Sequence, residues 1–121
     1  KFAARMADSW NQIPGPMNRH VEWQQTDVTC LEYVRSRNAE MDELCAAVGR
    51  DPHTLRRSIL AGGGVTPDEP WSSPEAFRDF VGRYREAGVD EFIFYYPSRA
   101  EQEKGFVEQI AREVIPALRQ A

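Results

Sequence analysis

The sequence predicts an α/β fold built on parallel strands. Short runs with strand character alternate with longer segments whose apolar residues recur at helical spacing, and the order strand then helix occurs three times. Such alternation predicts parallel strands joined by right-handed crossovers, as in a (β/α) barrel. Glycine or proline falls at most of the boundaries, and there is no low-complexity tract or fixed-period repeat. The 121 residues suit one domain spanning 1–121, with enough chain for one modest core.

The elements follow in order. Residues 1–7 look like the last turns of a helix, because Phe2, Ala3, Ala4 and Met6 are already in helical spacing with no capping residue ahead of them. This predicts that further chain belongs upstream. "SWNQI" over 9–13 is a short strand, stopped by "PGP" at 14–16. From about 27 to 48, Leu31, Val34, Met41, Leu44, Cys45 and Val48 keep to one helical face. "TCLE" at 29–32 has capping-box spacing, with an earlier start near Val21 as the alternative. Gly49 suits the left-handed position after a helix end, and "RDP" at 50–52 forms the turn. "TLRRSILA" over 54–61 reads as a strand closed by Gly62, Gly63 and Gly64. After a loop to Ser72, Ser73 is a good N-cap, Pro74 a good first helical residue and Glu75 a favourable charge at the positive helix end. Phe77, Phe80, Val81 and Tyr84 follow at helical spacing, and Gly88 ends the helix. "EFIFYY" over 91–96 is almost continuously apolar, which predicts a strand covered on both faces. "SRAE" at 98–101 is another capping box. The last helix carries Phe106, Val107, Ile110, Val114, Ile115 and Leu118 on one stripe, and Pro116 is expected to kink or end it.

Composition narrows the function classes. The apolar share is 41%, and 15 Lys and Arg against 19 Asp and Glu give a net charge of −4. Near-balanced charge argues against a nucleic-acid partner, which favours a basic stripe. No apolar run approaches the roughly 18 residues of a membrane span. The cysteines are Cys30 and Cys45; on one helix they would stand about 22 Å apart, too far for a disulfide, which suits a reduced, cytoplasmic protein. A metal centre is not expected: "HVE" at 20–22 has zinc-deaminase flavour but lacks the paired cysteines, and His53 lies in a turn. No Ser–His–Asp grouping assembles.

Four stretches together resemble one family. "AARMADSWN", "LCAAVGRDPHTLRRSILAG", "SSPEAFRDFVGRYREAGVDEFIFYYP" and "EVIPALR" are similar, in order and spacing, to the later part of the luciferase-like monooxygenases, the flavin- or deazaflavin-dependent oxidoreductases. The resemblance runs from Lys1 to Arg119. It implies the C-terminal portion of a (β/α)8 TIM barrel, its sixth, seventh and eighth strands with their helices. It also implies FMN or the deazaflavin coenzyme F-420 in the full-length protein, a small-molecule substrate, and a cofactor phosphate held mainly by strands upstream. Ser9 stands where the family usually has glycine, and the segment 14–26 is longer and more polar than its counterpart.

Granted a barrel, the active face lies at the strand C-terminal ends. There Trp10 can wall an apolar cavity and Asn11 can hydrogen-bond a ring or substrate carbonyl; alternatively Trp10 packs under a helix and Asn11 caps a turn. Arg56, Arg57 and Ser58 alternate along one strand, so one arginine would face inward toward an anion, or else form an interior salt bridge at the barrel bottom. Gly62, Gly63 and Gly64 fit neither nucleotide-binding glycine pattern and read as a turn. The long loop 62–72, with Trp71, suits a lid or substrate wall. One of Tyr95 and Tyr96 should face inward, to bind substrate or fill the core. A Schiff-base lyase is disfavoured because Lys1 and Lys104 lie on no expected strand. No catalytic acid or base is identified. The competing class is a non-enzymatic remnant or a small dimerising α/β binding module. In either case the chain alone is expected to be inactive and to self-associate or need the missing barrel half.

Overall fold

The computed structural model describes residues 2–16, 22–62, 65–67, 69–95 and 104–120. Gly63, Gly64, Tyr96, His20, Lys1 and the 98–101 capping box lie outside the described residues.

Three strands form one parallel sheet in chain order: β1 (Ser9–Gln12), β2 (Arg56–Ala61) and β3 (Glu91–Phe94). Asn11 stands beside Ser58, and Ser58 beside Glu91, which sets the register across the sheet. Between the strands run α2 (Asp27–Ala47) and α3 (Pro74–Glu86); α1 (Phe2–Met6) precedes β1. After β3 the last helix comprises α4 (Lys104–Gln109), a π turn over Ile110–Val114 and α5 (Ile115–Gln120). The connecting helices collect on one face of this sheet, where α2, α3 and the last helix share clusters with β2 and β3.

That face is the core. Ile59 and Ala61 of β2 pack with Val34 of α2 and Phe80, Tyr84, Ala87 and Val89 of α3 and its C-terminal turn, with Phe92 and Phe94 against them. Ala4, Met41, Cys45 and Leu55 fasten α1 and α2 beneath Trp10. Phe77, Val81, Ile110 and Val114 join α3 to the last helix. Cys30 and Cys45 are both buried on α2, so the helix itself holds the thiols apart.

The boundaries correct several expectations. The α2 capping box starts earlier: Thr26 is the N-cap, its hydroxyl accepting from the Thr29 N–H, while the Thr29 hydroxyl accepts from the Thr26 N–H. Glu32 pairs instead with Arg35 on the exposed surface. Thr54 and Leu55 do not belong to β2, since Asp51 caps a 3₁₀ turn over Pro52–Thr54 by accepting from the His53 N–H at 3.0 Å. Proline fixes the φ that such a turn needs, which delays the strand to Arg56. β3 spans four residues, with Tyr95 N–H still donating to Ala61 O. It is covered on one face only among the described residues: Phe92 and Phe94 turn to the helices, whereas Ile93 is 44% and Tyr95 48% exposed. Pro116 does not end the last helix. Proline has no N–H for the preceding turn, and the chain meets that loss with the wider π turn, in which Ile115 N–H reaches Ile110 O.

Two further devices set the ends. The Arg50 guanidinium donates to Ala7 O at 2.7 Å and Ala4 O at 3.3 Å, placing a cation on the negative end of α1. Gly88 has φ +98°, and a Cβ there would stand 3.1 Å from Asn38 Nδ2, so both the turn and the close approach of α2 require glycine.

Candidate functional site

Alternate residues of a strand point to opposite faces, so each strand contributes one set to the helices and one to the open side. On the helix side lie Trp10, Gln12, Arg57, Ile59, Ala61, Phe92 and Phe94; on the open side lie Ser9, Asn11, Arg56, Ser58, Leu60, Glu91, Ile93 and, beyond the strand, Tyr95. The candidate residues divide accordingly.

Asn11 and Ser58 come together on the open face. The Ser58 hydroxyl donates to Asn11 Oδ1 at 2.9 Å, and Ser58 is buried while Asn11 is exposed. This bond orients an exposed amide on the same face of the sheet as Leu60, Ile93 and Tyr95. Nearer the strand starts, Arg56 faces Glu91 at 3.6 Å. Trp71 and Tyr95 also meet: the Trp71 indole N–H donates to Tyr95 O at 3.1 Å, and its ring packs on Phe77 and Phe94. Gly62 ends β2 at φ +78°, and its N–H donates to the Thr66 hydroxyl at 3.1 Å. Thr66 is itself buried, so the loop after β2 turns back on its own side chain.

Trp10 and Arg57 are on the other side. Trp10 packs over the Ala4–Met41–Cys45–Leu55 cluster, with the Arg37 guanidinium 5.9 Å from its ring. Arg57 is 5% exposed and donates to Asn38 O at 2.9 Å and Pro52 O at 3.3 Å, with an ion pair to Asp42. Its backbone N–H donates to the Asp90 carboxylate. Of the two arginines, then, the helix-facing one ties β2 to α2 and the open-facing one is matched by Glu91.

The sequence reading missed two members of this network. Gln12 Nε2 donates to Asn38 Oδ1 at 3.0 Å, and Asn38 Nδ2 donates to Ala87 O at 2.8 Å. Gln12 Oε1 is buried without a hydrogen-bond partner among the described residues. The available signal was position: Asn38 stands between Val34 and Met41 on the buried stripe of α2. A cavity of about 310 Å³ borders this network at the strand N-terminal ends, lined by Asp42, Pro52, His53, Leu55, Arg57, Gly88 and Asp90. The Asp51 carboxyl nearby is held below its ordinary range by the His53 backbone N–H and then by the His53 ring.

Among the described residues no group of three or more His, Cys, Asp and Glu is placed to hold a metal ion, and no helix is long and apolar enough to cross a membrane. A comparison with protein-family models, curated proteins and solved structures finds no match for the chain.

Proposed function

We propose that this chain is the last three β/α units of a luciferase-like (β/α)8 barrel and serves a flavin- or deazaflavin-dependent oxidoreductase by walling its substrate pocket. One observation carries the reading. Among the described residues, three parallel strands in chain order have their helices on one face, and the other face carries an oriented amide and the exposed apolar residues Ile93 and Tyr95. A doubly wound sheet reverses its strand order and takes helices on both faces, whereas a barrel keeps one direction and buries the helix-free side in its interior. The resemblance of the four sequence stretches supplies the chemistry.

The residues present fit such a cofactor as a wall. Asn11 offers an amide, and Ile93 and Tyr95 offer flat apolar contact at the strand C-terminal ends. Among the described strand residues the cation on that face is Arg56, at the start of β2 facing Glu91, and this reading leaves the phosphate to other parts of the barrel. When bound, the cofactor carries the hydride chemistry; this chain's residues orient the ring or substrate and exclude water. The reading places the whole protein in the cytoplasm, with no nucleic-acid or membrane partner. The second reading, a small self-associating binding module, draws on the same face and two sheet edges.

The test expresses the chain together with whatever its reading frame encodes upstream, beside residues 1–121 alone, and titrates both with FMN and the deazaflavin. Binding by the longer product, with Asn11→Ala weakening it, supports the reading. A folded 1–121 monomer that binds either cofactor by itself, or a longer product that binds neither, overturns it.

A further inference from the structure

Two described stretches that follow β1 and β2, residues 22–26 and Val65–Thr66, are each anchored to their own neighbours and are joined by a hydrogen bond. In the first, Trp23 packs edge-on against Tyr33 of α2 at 5.6 Å between ring centres, and the Thr29 hydroxyl donates to Gln24 O at 2.7 Å. The Trp23 indole also lies against Gly15, where a Cβ would stand 3.4 Å from Nε1. In the second, Val65 N–H donates to Gly62 O at 3.0 Å, and Gly62 N–H donates to the buried Thr66 hydroxyl. Between them, Gln25 Nε2 donates to Val65 O at 2.7 Å.

We propose that Gln25 is a latch that couples residues 22–26 to Val65–Thr66, so that whatever orders one of these two stretches favours the order of the other. The bond joins positions 40 residues apart in the chain, so no local turn chemistry enforces it. Each partner is held in place from its own side, by Tyr33 and Thr29 for the first segment and by Gly62 and Thr66 for the second. Two anchored segments sharing one bond are energetically coupled, and such coupling is reciprocal: whatever orders either one favours the order of the other. A ligand reaching either rim would therefore still both. The coupling stands without the oxidoreductase reading, because it concerns this chain's own loops.

Amide hydrogen exchange on the full chain tests it. Gln25→Leu keeps most of the side-chain length and removes the donor at an exposed site, so folding is not at risk. Exchange at the Val65 and Thr66 amides is expected to rise about fivefold, the scale of one lost hydrogen bond, with α3 unchanged. Thr66→Val, which removes the partner of Gly62 N–H, is expected to speed exchange at residues 22–26 by a similar factor in the parent chain and to add nothing there in the Gln25→Leu background. Each variant disturbing only its own segment overturns the latch, as does additive behaviour in the double variant.

Discussion

The two faces of the sheet are made by the same three strands and differ in every other respect. The helix side is filled by Ile59, Ala61, Phe80, Phe92 and Phe94 and threaded by the Gln12–Asn38–Arg57 network. The open side shows, among the described residues, the side-chain bond between Asn11 and Ser58, the long Arg56–Glu91 ion pair and exposed apolar residues. The comparison teaches where stability resides. Strand residues facing α2 and α3 hold the fold, while on the other side Asn11, Ile93 and Tyr95 are exposed and available for a ligand, a second chain or further strands.

The largest expected effect breaks the helix side. Phe80→Ala should lower unfolding free energy in chemical denaturation by about 3–5 kcal/mol, because Phe80 is fully buried among Tyr84, Phe92 and Phe94. Arg57→Leu comes next, at about 2 kcal/mol. It removes the guanidinium donor from Asn38 O and Pro52 O, of which Pro52 O keeps the Leu55 N–H and Asn38 O stays within the α2 ladder, while Asp42, half exposed, is left to water. A loss as small as a surface substitution would mean that the buried network is ornamental. Thr26→Ala should cost about 1 kcal/mol through the α2 cap, and Thr26→Ser should restore most of it.

On the open face, Ile93→Ser should change the stability of a monomeric chain by no more than about 0.5 kcal/mol. If light scattering shows self-association, the same substitution should weaken it. A loss at Ile93 comparable to that at Phe80 would show the face to be covered in solution. The smallest effect concerns acid. Asp51 titrates below its ordinary value of 3.8 in the folded chain. Its stabilising contribution is therefore fully present above that value and is lost as pH falls through the lower folded one. Asp51→Asn should flatten that part of the acid-unfolding curve: its cost is present at neutral pH, disappears below the folded value, and is small throughout because the group is exposed and well screened.

How much of this was legible in the sequence follows from the range of the interactions. The three strand–helix alternations, the Ser73–Pro74 start of α3 and the glycines at 49 and 88 depend on residues near one another, and each is found where spacing and turn chemistry place it. The parallel order of the strands follows from the alternation of those local elements, since a helix between two strands returns the chain to the same end of the sheet. What spacing alone left open was the side taken by each strand residue. "EFIFYY" reads as covered on both faces because Phe, Ile and Tyr are all apolar, yet only the register against Ile59 and Ala61 assigns Phe92 and Phe94 to the helices and leaves Ile93 outward. Arg56 and Arg57 are equivalent by residue type; one position of pleat puts the second under α2 and the first opposite Glu91. Asn38 on an apolar stripe signals an exception without naming its partners, because Gln12 and Ala87 lie 26 and 49 residues away. Local chemistry thus determined which elements form and in what order. Only the packed structure decided which side chains share a face, because that choice rests on contacts between segments whose separation in the chain carries no pattern.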